Sequence, residues 1–157
     1  MANLTGTVHG DAANSLFAFY GDKVNELEEA GQYFMAAVAL GFALETAILT
    51  YLLVEFGDDN GGELKIPSSV NMSDLIEAAN EIGVLSAPIG VPSHLGGDEP
   101  PKHLAKEVVD KIRQFRNLIH PARALKEKYD PRTFTQKELQ DYRDMFESVC
   151  HSLLYYL

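Results

Sequence analysis

The sequence has one cysteine, Cys150, and no tryptophan. A single cysteine cannot form an internal disulfide bond, so a disulfide-stabilised secreted scaffold is excluded. The first residues, MANLTGTVHGD, contain neither a basic segment nor an apolar run, and they therefore do not look like a signal peptide. From these absences we expect a cytoplasmic protein.

Basic residues are scarce in the first two thirds of the chain. Residues 1–101 contain two basic residues against fifteen acidic ones, whereas residues 102–143 contain eleven basic against six acidic, and the whole chain carries a net charge of −10. The protein as a whole should therefore repel nucleic acid at long range, while the segment 102–143 could attract it locally. Lysines and arginines on solvent-exposed helices would give the same pattern without any nucleic acid, and both interpretations stay open.

The sequence also lacks the common motifs for metal and cofactor chemistry. Its five histidines show no metal-ligand spacing. No glycine-rich loop follows a strand and leads into Lys-Ser or Lys-Thr, and no nucleophile elbow is present. We therefore expect no metal and no cofactor.

No stretch shows the alternation of a half-buried strand, so the predicted fold class is all-α. We expect a single domain spanning residues 1–157, built as a compact helical bundle of about five helices around a central apolar helix. The four helices whose limits the sequence suggests, in chain order, are Asp11–Ala30, Tyr33–Phe56, Met72–Gly83 and Lys102 to at least His120. A fifth opens with the capping box Thr135–Glu138, and an irregular segment, Val84–Pro101, precedes the fourth.

The segment Tyr33–Phe56 is apolar on nearly every face, as in a helix buried in a protein core or in a membrane. Glu45 lies in its middle, where a carboxylate would be costly in lipid, and both flanks are acidic rather than basic. We therefore interpret it as a core helix and expect no membrane association.

The other long helices carry one-sided apolar stripes. In chain order these are Leu16, Tyr20, Val24 and Leu27; then Leu104, Val108, Ile112, Phe115 and Ile119; then Leu139, Tyr142, Phe146, Val149 and Leu153. Gly31 should end or bend the first helix, and Asn71 or Ser73 should cap the third, with Gly83 at its end.

The segment KIRQFRNLIHPAR, Lys111 to Arg123, is the most informative part of the sequence. On an uninterrupted helix His120 lies about 20° from Arg113 and about 40° from Arg116, so the three side chains would share one narrow face. Two guanidinium groups and an imidazole could bind a phosphate, because arginine matches it bidentately and histidine can move a proton near neutral pH. Asn117 adds a neutral donor on the flank.

A structural role would explain the same residues. A carboxylate in an otherwise apolar helix needs compensation, and Glu45 is the obvious partner for a cation from this segment.

Three segments, taken in order, resemble the HEPN superfamily of helical domains. EEAGQYFMAAVALGFALETAILTYLL resembles the second helix of the family, MSDLIEAANEIGVL its short third helix, and IRQFRNLIHPAR its arginine–histidine motif. The resemblance runs from about Asp11 to the end of the chain and implies the helical fold more firmly than an activity.

Many HEPN members are metal-independent endoribonucleases of toxin–antitoxin, phage-defence and CRISPR systems. Their motif is an arginine, four to six residues, then a histidine. Arg113 and His120 have six residues between them, so the resemblance implies that these two are catalytic. It implies that Arg116 and Asn117 assist binding. Only three residues separate Arg116 from His120, which is fewer than the motif requires. The family usually dimerises, and other members are non-catalytic or pair with a separate protein such as an antitoxin.

Two hypotheses follow. The first is an RNA-associated role, as a metal-independent endoribonuclease acting on RNA. The second is a non-catalytic dimeric interaction module whose Arg–His cluster is structural. We expect a homodimer, because the ending SLLYYL keeps large apolar groups near a terminus. Accessible Arg113 and His120 at a two-fold interface would favour the first hypothesis, and burial of both against Glu45 would favour the second.

Overall fold

The computed structural model describes residues 2–56, 63–66, 71–81, 85, 88–90 and 102–155. The helices are α1 (Gly6–Glu29), α2 (Tyr33–Phe56), α3 (Met72–Glu81), α4 (Ala105–Arg116), α5 (Pro121–Lys126) and α6 (Gln136–Tyr155), with 3-10 turns at Asn117–Ile119 and Pro131–Thr133. The strands are β1 (Ala2–Thr5), β2 (Glu63–Ile66), β3 (Pro88–Gly90) and β4 (Lys102–Leu104). The all-α prediction is confirmed, because helices form the body of the described chain.

The four strands form two antiparallel ribbons that the sequence did not predict. β1 pairs with β2, and β3 pairs with β4. Each strand has only three or four residues, which is too short for apolar alternation to stand out from its surroundings. Of the predicted irregular segment Val84–Pro101, only β3 and Leu85 lie within the described residues.

Helices α1 and α2 form a helical hairpin with a tight connection. Gly31 adopts a left-handed φ of +73°, as the sequence predicted for a helix stop. Its N–H donates to the carbonyl of Glu28 at 2.9 Å, and the N–H of Gln32 donates to the carbonyl of Leu27 at 2.8 Å. These two bonds make a Schellman motif, which satisfies the last carbonyls of α1 and lets α2 begin at once.

α2 is the centre of the fold, as predicted. One core cluster surrounds its first half with side chains from α1, α4 and α6, and a second, mainly aliphatic cluster joins its second half to α3, α4 and α6. Within the described residues, the window Tyr33–Leu52 alone is long and apolar enough to cross a membrane, and 67% of that window is buried inside the protein.

The predicted caps of α3 and α6 are present. Asn71 Oδ1 accepts the N–H of Asp74 at 3.0 Å while Asp74 Oδ2 accepts the N–H of Asn71 at 3.0 Å, so Asn71 caps α3. Thr135 Oγ1 accepts the N–H of Glu138 at 3.2 Å at the start of α6. The predicted stop at Gly83 lies outside the described residues.

The predicted apolar stripe of α1 was wrong at its first position. Leu16 is 48% exposed, whereas the neighbouring Phe17 turns inward and stacks on Phe146 of α6 with ring centroids 6.1 Å apart. Successive residues of a helix are rotated by about 100° around its axis. An error of one position is therefore enough to assign an exposed residue to the buried face. α1 also begins five residues before the predicted Asp11.

The stripe of α6 is confirmed, with Leu139, Val149 and Leu153 buried. The homodimer prediction rests on the side chains of SLLYYL, and of these only Leu153 is within the described set.

Candidate functional site

The segment Lys111–Arg123 does not form one continuous helix, and this corrects the prediction of a helix running to His120. α4 begins at Ala105 and ends at Arg116, a single 3-10 turn follows, and His120 is extended with φ −77° and ψ 120°. Pro121 explains the break, because proline lacks an N–H and disfavours helical geometry in the residue before it. Pro121 then occupies the first turn of α5, a favourable place for proline.

The break removes the basis for the helical-wheel grouping of the three side chains. The common face of Arg113, Arg116 and His120 assumed unbroken helical geometry. Since the backbone turns at Asn117–Ile119, Ile119 also leaves the apolar stripe of α4 and is exposed.

Arg116 points into the fold. Its Nη1 donates to Oε2 of Glu45, the carboxylate in the middle of α2. Its guanidinium carbon lies 5.0 Å from the ring centroid of Phe42, a cation–π distance. The side chain is only 14% exposed. We call this set of contacts the Arg116 latch; it ties α4 to α2.

Gly41 makes room for the latch. A Cβ at Gly41 would lie 3.1 Å from both Cβ and Cδ of Arg116. The methylene stem of the arginine therefore runs directly over the bare backbone of α2, one residue before Phe42 and four before Glu45. One face of α2 thus provides space for the stem, a ring for the guanidinium and a carboxylate for its charge.

Arg113 makes its ion pair on its own helix. Its Nε donates to Oδ1 of Asp110 at 2.8 Å, and Nη2 lies 2.8 Å from the same oxygen. Gln114 occupies the other oxygen of Asp110 at 2.8 Å. The Arg113 side chain is 24% exposed.

His120 is exposed and Asn117 is half-buried. The backbone carbonyl of His120 accepts the N–H of Ala124 at 3.0 Å and so opens α5, while its imidazole makes no hydrogen bond with any described residue. The carbonyl of Asn117 accepts the N–H of His120 at 3.1 Å. Of the predicted cluster, the structure thus directs Arg116 inward and leaves Arg113 and His120 accessible.

An apolar groove of about 700 Å³ adjoins His120, and sequence reasoning missed it. Its walls come from the α1–α2 turn, the 3-10 turn after α4, α5 and the 3-10 turn before α6. They include Met35, Ile119, Pro121, Leu125 and Arg132. We call it the α5 groove. The available sequence signal was Leu125, a lone large apolar residue in the charged run ARALKEK, which is 80% exposed.

The strongly perturbed titrating groups do not offer a nucleophile or base at neutral pH. Burial, followed by the charge of Glu147, raises the pKa of the Cys150 thiol to about 12. Burial is also the main reason why the pKa values of Tyr129 and Tyr142 rise to about 12, with Glu138 contributing to both. All three groups therefore stay protonated at neutral pH.

Within the described residues, no group of three or more His, Cys, Asp and Glu side chains is placed to hold a metal ion. Comparison with family models, curated proteins and solved structures finds no match to this chain.

Proposed function

We propose that this protein is a HEPN-like domain with an RNA-associated role, in which Arg113 and His120 act on an RNA phosphate without a metal ion. One observation carries the proposal. The arginine whose spacing departs from the family motif, Arg116, is used by the fold, while the two residues that fit the motif remain accessible.

The chemistry of the two side chains suits RNA cleavage by the internal 2′-hydroxyl. His120 would take the proton of that hydroxyl as a general base, and such a step contributes about 10²–10⁴ in rate. The Arg113 guanidinium would hold the charge that develops on the phosphate oxygens. Asn117, between them in the chain, would donate a neutral hydrogen bond.

Local charge favours the same partner. The segment 102–143 carries eleven basic residues against six acidic ones in a chain whose net charge is −10. This excess of basic residues would attract a phosphate backbone, so binding should weaken steeply as salt concentration rises.

The test is digestion of a random-sequence RNA pool with EDTA present. We expect the wild type to cleave it, and His120→Ala and Arg113→Ala each to abolish cleavage with little change in melting temperature. Arg123→Ala is the matched control, because Arg123 also pairs on its own helix, with Glu127 at 3.3 Å, and its removal takes the same charge from the same segment. This control should keep wild-type cleavage.

Two results would count against the proposal. Cleavage that persists in both His120→Ala and Arg113→Ala would show that the activity comes from elsewhere, such as a contaminating nuclease. A wild type that leaves the RNA intact and does not bind it in a fluorescence anisotropy titration would remove the RNA-associated role altogether.

The alternative is a non-catalytic dimeric interaction module. The specific observation in its favour is the α5 groove, where Met35, Ile119 and Leu125 are exposed beside His120. In this interpretation the Arg116 latch is structural and the groove is the functional surface. It predicts no cleavage by the wild type, but a measurable association through the groove.

A further inference from the structure

A second cavity, of about 370 Å³, is lined by residues of α4, α5 and α6. Neither Arg113 nor His120 lines it, so it is separate from the residues proposed to act on RNA. Pockets for small molecules have volumes of about 300–1,000 Å³, so this one can hold a small organic ligand. We call it the Tyr129 cavity, and its walls include Lys111 and Phe115 of α4, Arg123 of α5, Tyr129, and Tyr142 of α6.

The turn that ends α5 places Tyr129 at this cavity. Lys128 has a φ of +52° and is, within the described residues, the one residue other than glycine with a positive φ. Its N–H donates to the carbonyl of Leu125 at 3.2 Å, and the N–H of Tyr129 donates to the carbonyl of Ala124 at 2.9 Å. These bonds make a second Schellman motif, in which glycine usually occupies the left-handed position and a lysine is strained. The fold therefore holds Tyr129 in place at a cost to its neighbour.

The Tyr129 hydroxyl is buried and has no hydrogen-bond partner among the described residues. Buried polar atoms in native proteins almost always have a partner, so this one calls for a ligand or a water molecule. Burial raises the pKa of Tyr129 to about 12, and the charges of Glu138 and Asp130 add to the rise. The hydroxyl therefore keeps its proton at neutral pH and can donate a hydrogen bond.

Lys111 supplies a positive charge to the cavity wall. It is exposed and forms no ion pair with a described residue. Arg123 also lines the wall, but its Nε lies 3.3 Å from Oε1 of Glu127, so these two charges compensate each other. The cavity thus offers an unpaired ammonium group and an unpartnered hydroxyl, and both can donate hydrogen bonds to an anion.

We propose that the Tyr129 cavity binds a small carboxylic acid with an apolar body, whose carboxylate pairs with Lys111 and accepts a hydrogen bond from the Tyr129 hydroxyl. A carboxylate carries the single negative charge that Lys111 balances. A phosphate monoester is close to doubly charged at neutral pH and would leave an excess of negative charge near Glu138. The apolar body lies against Leu118 and the ring of Phe115, whose centroid is 5.9 Å from that of Tyr129.

An NMR titration of the isotope-labelled full chain at neutral pH tests the ligand class with a set of small probes. We expect benzoate to bind in the millimolar range and to shift the backbone amides of Leu118 and Tyr129. Benzamide has the same shape without the charge, acetate has the charge without the ring, and phenyl phosphate has the ring with a second charge. Each of these should bind at least about tenfold more weakly than benzoate.

Two substitutions test the contacts. Lys111→Met and Tyr129→Phe should each weaken benzoate binding about tenfold, because each removes a hydrogen bond to a charged group. Lys106→Met is the matched control: Lys106 is exposed on the same helix but does not line the cavity, so this variant should bind benzoate as the wild type does. Without benzoate, Tyr129→Phe should not lower the melting temperature, because the hydroxyl that it removes has no partner among the described residues.

Other outcomes overturn the proposal. No binding of benzoate, or amide shifts only away from the cavity, would remove the site. Phenyl phosphate or benzamide binding as tightly as benzoate would contradict a site for one carboxylate. Equal losses of affinity in Lys111→Met and Lys106→Met would show that benzoate responds to overall charge rather than to the cavity. A lower melting temperature in Tyr129→Phe would show that the fold itself uses the hydroxyl.

Discussion

Replacing Arg116 by alanine should be among the most destabilising single changes on α4, even though arginine is a charged residue. The substitution removes the ion pair with Glu45, the contact with the Phe42 ring and the stem that covers Gly41. A charged side chain that is only 14% exposed serves the fold rather than the surface.

The contacts set the magnitude. Removing one partner of a fully buried ion pair costs about 3–5 kcal/mol because a charge is left without compensation. The Glu45 side chain is 29% exposed, so water can partly solvate it, and we take about 2 kcal/mol for this loss. The cation–π contact adds about 0.5–1 kcal/mol. The expected loss in the free energy of unfolding is therefore about 2.5–3 kcal/mol.

Urea denaturation measures this loss in the free energy of unfolding. Four proteins are compared: wild type, Arg116→Ala, Glu45→Gln and the double variant. Since the two side chains interact directly, the double-mutant cycle should show a coupling of about 1–2 kcal/mol. Arg113→Ala is the matched control. Its ion pair with Asp110 lies within one helix and is partly exposed, so its loss should cost about 0–1 kcal/mol.

Equal losses of stability in Arg116→Ala and Arg113→Ala would contradict this prediction, and so would additive effects of the Arg116 and Glu45 changes. Either result would mean that the latch contributes no more than a surface ion pair.

Three further predictions concern buried groups. Gly41→Ala should lower stability by about 1 kcal/mol in urea denaturation, because strain against the Arg116 stem outweighs the better helix propensity of alanine. Cys150 should react slowly with iodoacetamide at neutral pH and rapidly in urea, because a pKa of about 12 keeps the thiol protonated in the fold. Tyr129 and Tyr142 should ionise near pH 12 in a near-UV absorbance titration, and because unfolding returns both to about 10, the stability they contribute should be lost as pH rises from about 10 to 12.

Much of the fold could be predicted from local signals. The limits of α2 follow from its apolar composition, the end of α1 from Gly31, and the starts of α3 and α6 from the capping residues Asn71 and Thr135. Each signal acts within one helical turn. The β1–β2 ribbon joins segments far apart in the chain, and in neither ribbon does a pattern within three or four residues indicate the pairing.

The site was predictable in its residues but not in its geometry. The sequence showed that Glu45 requires a cation, because a carboxylate in an otherwise apolar helix needs compensation. Which cation would supply it was not, since Arg113 and Arg116 differ by a rotation of about 60° around α4. The sequence predicted a helix that reaches His120, directly before Pro121. The α-helix instead ends at Arg116, a full turn before the proline.

The distance along the chain between the two ends of the Arg116 latch bears on the order of folding. Glu45 and Arg116 are 71 residues apart, whereas α1 and α2 are joined by the tight turn at Gly31 and share the largest interface between described elements. Closing a long loop costs more entropy than closing a short one, so the α1–α2 hairpin should be structured in the folding transition state and the latch should form after it. Arg116→Ala should then accelerate unfolding and leave the refolding rate nearly unchanged, a separation that stopped-flow measurements resolve.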